Sequence, residues 1–191
     1  MRELIAEWEK QSAICMAWPH NNSDWADYLD VIETCYLNIA KEISKRQILI
    51  LLHNFQYKSK EELQTLLNKQ GSNLENIAIV YYETNDIWTR DYLPLSLKTK
   101  ENTELIQFGF NAWGGKYKFD RDSKAGKYLT KNEILKPTNF RQRTDYILEG
   151  GSLETNGNGA LLTTSNCLLN PNRNPNLSKE EVEEILKIEL G

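Results

Sequence analysis

Ile48-Leu49-Ile50-Leu51-Leu52 is an unbroken apolar run. It has the length of a strand and falls far short of a membrane span. Upstream, Ala13-Ile14-Cys15-Met16-Ala17-Trp18 is a second short apolar run, closed by Pro19. Downstream, Ile77 to Tyr82 is a third. Between the first two, starting from Asp27, apolar residues recur at Leu29, Ile32, Tyr36, Ile39 and Ile43, one face of an amphipathic helix. Between the next two, Ser59 and Glu62 have capping-box spacing, and Leu63, Leu66 and Leu67 form a helical face that Gly71 ends. Strand, helix, strand, helix, strand predicts α/β layering.

Beyond Asn85 the pattern changes. Leu93 to Leu97 and Glu104 to Phe108 read as strands around a polar turn. Ser152 to Thr155 and Ala160 to Thr164 read as a hairpin around Asn156-Gly157-Asn158-Gly159. Ser178 with Glu181 opens a last helix running through Leu190. Asn166 to Asn176 is the one long irregular stretch, and no linker divides the chain.

The 191 residues suffice for one sizeable core or for part of a larger domain. The net charge of −4 and the lack of a basic stripe argue against a nucleic-acid partner. The densest basic stretch, Lys116 to Lys131, is interrupted by acids and reads as a solvated surface. Cys15, Cys35 and Cys167 form no C-x-x-C pair, which fits a reducing compartment. Cys15 and Cys35 read as inert core residues and Cys167 as structural. Acidic residues interrupt the N-terminus, so no signal segment is expected, and the reading is a soluble, cytoplasmic protein with no membrane partner. His20 and His53 lack metal-ligand spacing to another His or Cys, and no metal site or cofactor is expected. Phosphate-loop, dinucleotide and serine-hydrolase motifs are absent from the sequence.

Three segments carry the candidate chemistry: Asn85-Asp86-Ile87-Trp88-Thr89-Arg90-Asp91, Phe110-Asn111-Ala112-Trp113-Gly114-Gly115 and Leu148-Glu149-Gly150-Gly151-Ser152. Together they offer carboxylates and aromatic faces, the two things a flat guanidinium requires. Asp91, just before a strand, is the first candidate to grip such a cation; the alternatives are a turn cap or a partner for Arg90. Trp88 and Asp86 support the cation site. Trp113 either walls a pocket or anchors the core. Glu149 either orients a histidine, as triad carboxylates do, or faces solvent. Gly150 and Gly151 would let backbone approach closely.

Six stretches in order resemble the agmatine deiminase family, also called the bacterial-type peptidylarginine deiminase family. They are Ala6-Glu7-Trp8-Glu9, Trp18-Pro19-His20 with Asp24-Trp25, Asn85 to Asp91, Phe110 to Lys116, Leu148 to Ser152, and Leu162-Thr163-Thr164 with Cys167 to Pro175. The resemblance implies a five-bladed α/β propeller of the pentein type. This chain, residues 1–191, would supply roughly the first three modules as the N-terminal portion of a single domain. It also implies hydrolysis of a guanidino substrate, agmatine to N-carbamoylputrescine and ammonia, a step of putrescine biosynthesis. In that chemistry a cysteine thiolate attacks the guanidino carbon and a histidine serves as acid and base. Asp91 resembles the carboxylate that binds the guanidinium, Glu149 the partner of the catalytic histidine, and Trp88 and Trp113 the pocket walls.

The sequence departs from the family in one large respect. No Gly-His-x-Asp segment and no late cysteine after a Gly-rich turn occur among these residues, and Cys167 resembles a structural position. Peptidyl-arginine or free arginine remain alternative substrates. A non-catalytic fragment, or a guanidine-binding module needing a C-terminal partner, is the alternative function. The resemblance further implies a sheet edge left bare by a chain ending near the third module, and hence self-association or a complementing C-terminal piece.

Overall fold

A computed structural model describes residues 2–191. The chain divides into two compact units, Lys10–Thr89 and the pair of segments through Glu9 and from Arg90 to Gly191.

In the Lys10–Thr89 unit, strands β2 (Ala13–Ala17), β3 (Ile48–His53) and β4 (Ile77–Tyr81) form a parallel sheet in the order β2-β3-β4. Parallel strands require crossovers, supplied here by helices α1 (Leu29–Ser44) and α2 (Lys60–Gln70). The capping box of α2 is formed, with Ser59 and Glu62 each satisfying the other's backbone N–H, and Gly71 ends the helix at φ 89°. Trp18, Leu49, Leu51, Leu63 and Leu67 are the centre of the core. Two helix readings need correction. Cys35 is exposed, and Ile39, placed on the buried face by its spacing, remains 39% exposed. The buried face centres on Ala40 and Ser44, and Cys35, about 100° from its neighbour Tyr36, points away from it.

In the other unit, β1 (Glu3–Leu4), β5 (Leu95–Lys98), β6 (Thr103–Gly109) and β7 (Asn139–Ile147) form a sheet in that order. β1 and β6 run antiparallel to β5, and β7 runs parallel to β6. Helix α5 (Asp122–Lys131) makes the β6-to-β7 crossover. It lies within the stretch read above as solvated surface. Asp122, Ala125, Gly126 and Leu129 are in fact buried, recurring at i, i+3, i+4 and i+7 on one side while the lysines occupy the other. β8 (Glu154–Thr155) and β9 (Leu161–Leu162) form the expected hairpin, shorter than its apolar pattern. Two further single turns, α3 (Thr89–Tyr92) and α4 (Ala112–Gly115), precede this crossover, and α6 (Ser165–Leu168) follows the hairpin. Helix α7 (Lys179–Leu190) starts at the Ser178–Glu181 capping box. It packs Val182 and Leu190 against Leu97, Ile106 and Phe108 of the sheet. Among the described residues no helix is long and apolar enough to cross a membrane.

Candidate functional site

Asp91 stands on α3 at the start of the Arg90–Gly191 unit. Its Oδ1 accepts the backbone N–H of Gly151 at 3.1 Å, and Trp113 favours the charged form of its carboxylate. Burial pushes the Asp91 carboxyl above the ordinary aspartate range, and the nearby charge of Glu149 adds to this. The Gly151 and Trp113 hydrogen bonds and Arg90 pull the other way. The approach of the Gly150-Gly151 backbone is closer than any other residue type permits. A Cβ on Gly151 would stand 2.2 Å from Asp91 Oδ1, and one on Gly150 would stand 2.4 Å from the carbonyl oxygen of Arg90.

Trp113 belongs to an unusual turn. Ala112, Trp113, Gly114 and Gly115 all have positive φ, at 49°, 57°, 88° and 79°. For the two non-glycine residues this conformation costs roughly 1 kcal/mol or more each and persists only where its surroundings enforce it. Asn111 is the enforcer. Its side-chain oxygen accepts from Gly114 N at 2.9 Å, and its amide donates to the Asn172 carbonyl at 2.8 Å. Phe110 and Tyr117 meet the Trp113 ring edge-on, at centroid distances of 5.3 and 5.9 Å. The strained turn therefore fixes the Trp113 indole between two aromatic rings.

Glu149 does not face solvent. It is 3% exposed, and both of its carboxylate oxygens accept from Nε of Arg173, at 2.8 and 3.0 Å. The segment carrying Arg173 is tied down on either side. Asn172 meets Asn111, and Asn174 clamps Ile147 by accepting from its N–H and donating to its carbonyl, both at 2.9 Å. Arg173 was not among the sequence candidates. An arginine 24 positions away from its partner leaves no periodic trace, and only the turn-rich Asn170 to Pro175 spelling marked the segment.

Asp86 and Trp88 lie in the Lys10–Thr89 unit. Trp88 is 48% exposed and packs beside Trp25 with centroids 6.1 Å apart. Trp25 donates its indole N–H to Asp86 at 3.3 Å, and the Ile87 N–H reaches the same oxygen at 2.7 Å. Burial raises the Asp86 carboxyl, and these two hydrogen bonds oppose the rise. His20 is buried, with Nε2 3.0 Å from the Thr84 carbonyl. Cys15 is similarly sheltered, its thiol pushed up to about 12 by burial. The structure thus groups Asp91, Trp113 and Glu149 in one unit and Asp86 and Trp88, joined by Trp25, in the other. Among the described residues no group of His, Cys, Asp and Glu is arranged to hold a metal ion.

In one unit the half-buried Asp86 takes the Trp25 indole N–H, and in the other the half-buried Asp91 takes a backbone N–H from Gly151. The model of the Porphyromonas-type peptidyl-arginine deiminase family matches residues 3–191, and the chain belongs to that family. Among individual relatives, the agmatine deiminase of Ectopseudomonas mendocina is 32% identical over 98% of this chain. The structure of C. jejuni agmatine deiminase, solved with substrate bound in a cysteine-to-serine variant, superposes with a TM-score of 0.87 and 32% identity over the full chain. That of Enterococcus faecalis agmatine deiminase gives 0.81 and 28% over 97% of it. The chain spans about half the length of the relatives it matches, 50%, 54% and 49% respectively.

Proposed function

We propose that this chain provides the cation-gripping part of a guanidino hydrolase whose substrate is agmatine, converted to N-carbamoylputrescine and ammonia on the route to putrescine. The observation that carries the proposal is the Asp91 carboxylate, held by the Gly151 N–H and lying within the electrostatic influence of the buried Glu149. In this reading Asp91 forms charge-assisted hydrogen bonds to the guanidinium, Trp113 walls it, and Glu149 is set to pair with a histidine. The likeness to agmatine deiminase structures supports the five-bladed propeller as the architecture, with residues 1–191 as part of one such domain. The free thiols of Cys15, Cys35 and Cys167 support a reducing, cytoplasmic location.

The chemistry needs a thiolate, an acid–base histidine and water. The thiolate bonds to the guanidino carbon, ammonia leaves with a proton from the histidine, and water then releases the product. Neither the nucleophile nor that histidine is identifiable among these 191 residues, since His20 and Cys15 serve their own core. The proposal therefore expects no ammonia release from agmatine by the 191-residue chain, and in a protein of the relatives' full length turnover that Asp91→Asn abolishes. Release of ammonia by the 191-residue chain, lost in Cys167→Ala, would overturn the division of labour. Full turnover in Asp91→Asn would overturn the role of Asp91. Peptidyl-arginine and free arginine, assayed beside agmatine, decide the substrate.

A further inference from the structure

We propose that Asn158 is a site of spontaneous modification, losing its side-chain amide as ammonia to become aspartate and isoaspartate, while its neighbour Asn156 keeps its own. The chain holds two Asn-Gly pairs, Asn156-Gly157 and Asn158-Gly159, both in the turn that joins β8 to β9. The reaction begins when the backbone nitrogen that follows an asparagine, stripped of its proton, attacks the side-chain carbonyl carbon. Glycine in that place has no Cβ to hinder the approach. By residue type the two pairs are equal, but their surroundings differ.

Asn156 is pinned at both reacting groups. Its Oδ1 accepts the N–H of Asn158 at 2.9 Å and that of Ala160 at 3.0 Å. The nitrogen that would attack, Gly157 N, donates to Thr155 Oγ1 at 3.1 Å. Gly157 is also crowded, since a Cβ there would stand 3.0 Å from the Ala6 Cβ and 3.4 Å from the Trp8 ring. Asn158 has none of these restraints. It is exposed, and among the described residues neither its side chain nor the N–H of Gly159 has a hydrogen-bond partner. A Cβ on Gly159 would meet nothing within 4 Å, so the ring has room to close.

As Gly159 N bonds to Asn158 Cγ, the Cγ–Nδ2 bond breaks. Ammonia leaves, taking a proton from solvent in place of the one the nitrogen lost, and a succinimide remains. Water then opens the ring. Addition at Cγ gives aspartate, and addition at the main-chain carbonyl carbon gives isoaspartate, which routes the backbone through the former side chain. Either product puts a negative charge in the turn. Isoaspartate also lengthens the backbone between two strands of only two residues each. The change falls beside the candidate site, because Thr163 Oγ1, just after β9, donates to the Ser152 carbonyl at 2.8 Å.

The test incubates the folded 191-residue protein in mildly alkaline buffer. Peptide mapping by mass spectrometry follows amide loss at each position, with aspartate and isoaspartate separated by chromatography. The expected result is loss at Asn158 about tenfold or more faster than at Asn156, where the hydrogen bonds to Oδ1 and from Gly157 N must give way first. In guanidinium chloride, which dissolves those bonds, the two rates should converge. Asn158→Gln should remove the fast site and leave the slow one. Thr155→Val, which frees the Gly157 N–H, should quicken loss at Asn156. The comparison of folded with unfolded protein stands if Thr155→Val fails to fold. Equal rates in the folded protein, a faster Asn156, or a folded chain that keeps both amides overturns the proposal. So does an equally large preference for Asn158 in the unfolded chain, which would trace the difference to neighbouring residue types and not to the turn.

Discussion

Asp91 is held in a conflict that suits a binding group better than a structural one. Its carboxyl is raised by burial, so ionisation is harder in the folded than in the unfolded chain. The sign follows. Below the ordinary aspartate range both states are protonated and Asp91 costs nothing. As the pH rises through that range and on through the raised folded value, ionisation costs stability, and the cost is fully present at neutral pH. Asp91→Asn should therefore melt at or above the parent at pH 7, with the gap closing as the pH is lowered below the aspartate range. In a full-length enzyme the same change should cut kcat/KM by tenfold or more, since one charge-assisted hydrogen bond contributes about 1.5–3 kcal/mol. Thermal melts across pH, set beside steady-state rates, check both halves. Arg173 has the opposite character. Removing it strands Glu149 as a buried charge, and Arg173→Met should cost about 3–5 kcal/mol in denaturant unfolding. Replacing Glu149 and Arg173 together by apolar residues should recover most of that loss, whereas a merely exposed pair would show little effect either way.

At the scale of elements, backbone approach governs more than helix propensity. Gly126 lies within α5, where alanine would ordinarily gain about 1 kcal/mol. A Cβ there would stand 1.9 Å from Gln107 Oε1 and 2.7 Å from the Pro94 ring. Gln107 is buried and donates to the Tyr92 carbonyl at 2.7 Å, so it has little freedom to retreat. Overpacking of this kind costs about 1–3 kcal/mol. Gly126→Ala should accordingly lower the melting temperature despite its better propensity. A rise would mean that the β6–α5 contact is looser than described. The first unit was legible because each of its strands is an apolar run and both helices carry caps or a clear face. β7 was not, because Asn139–Ile147 spells Asn-Phe-Arg-Gln-Arg-Thr-Asp-Tyr-Ile, mostly polar or charged. It is a strand by virtue of its pairing with β6, including a register shift beside Gly109, and a local pattern carries no record of that. Asp91, Trp113 and Glu149 were legible as candidates because carboxylate, tryptophan and glycine are spelled together. The site was illegible at Arg173 and Asn111, whose roles come from long-range contacts. The left-handed turn at Ala112 and Trp113 was likewise hidden, since neither residue type announces a positive φ.

For the whole molecule, each of the two units has its own core, and the chain covers about half the length of its relatives. The central claim is that this polypeptide holds the carboxylate that recognises a guanidinium, apart from the groups that break the C–N bond. The most direct test watches the recognition itself. The chain has five tryptophans, and Trp113 is the one whose side chain influences the Asp91 carboxyl. In a nitrogen-15 correlation spectrum of the 191-residue protein, the Trp113 indole signal, assigned through Trp113→Phe, is followed as agmatine is added, with butylamine as the control lacking a guanidinium. The account predicts a saturable shift of that signal with agmatine, none with butylamine, and none with agmatine in Asp91→Asn. A Trp113 signal that stays put at millimolar agmatine, or that moves equally in Asp91→Asn, would contradict it.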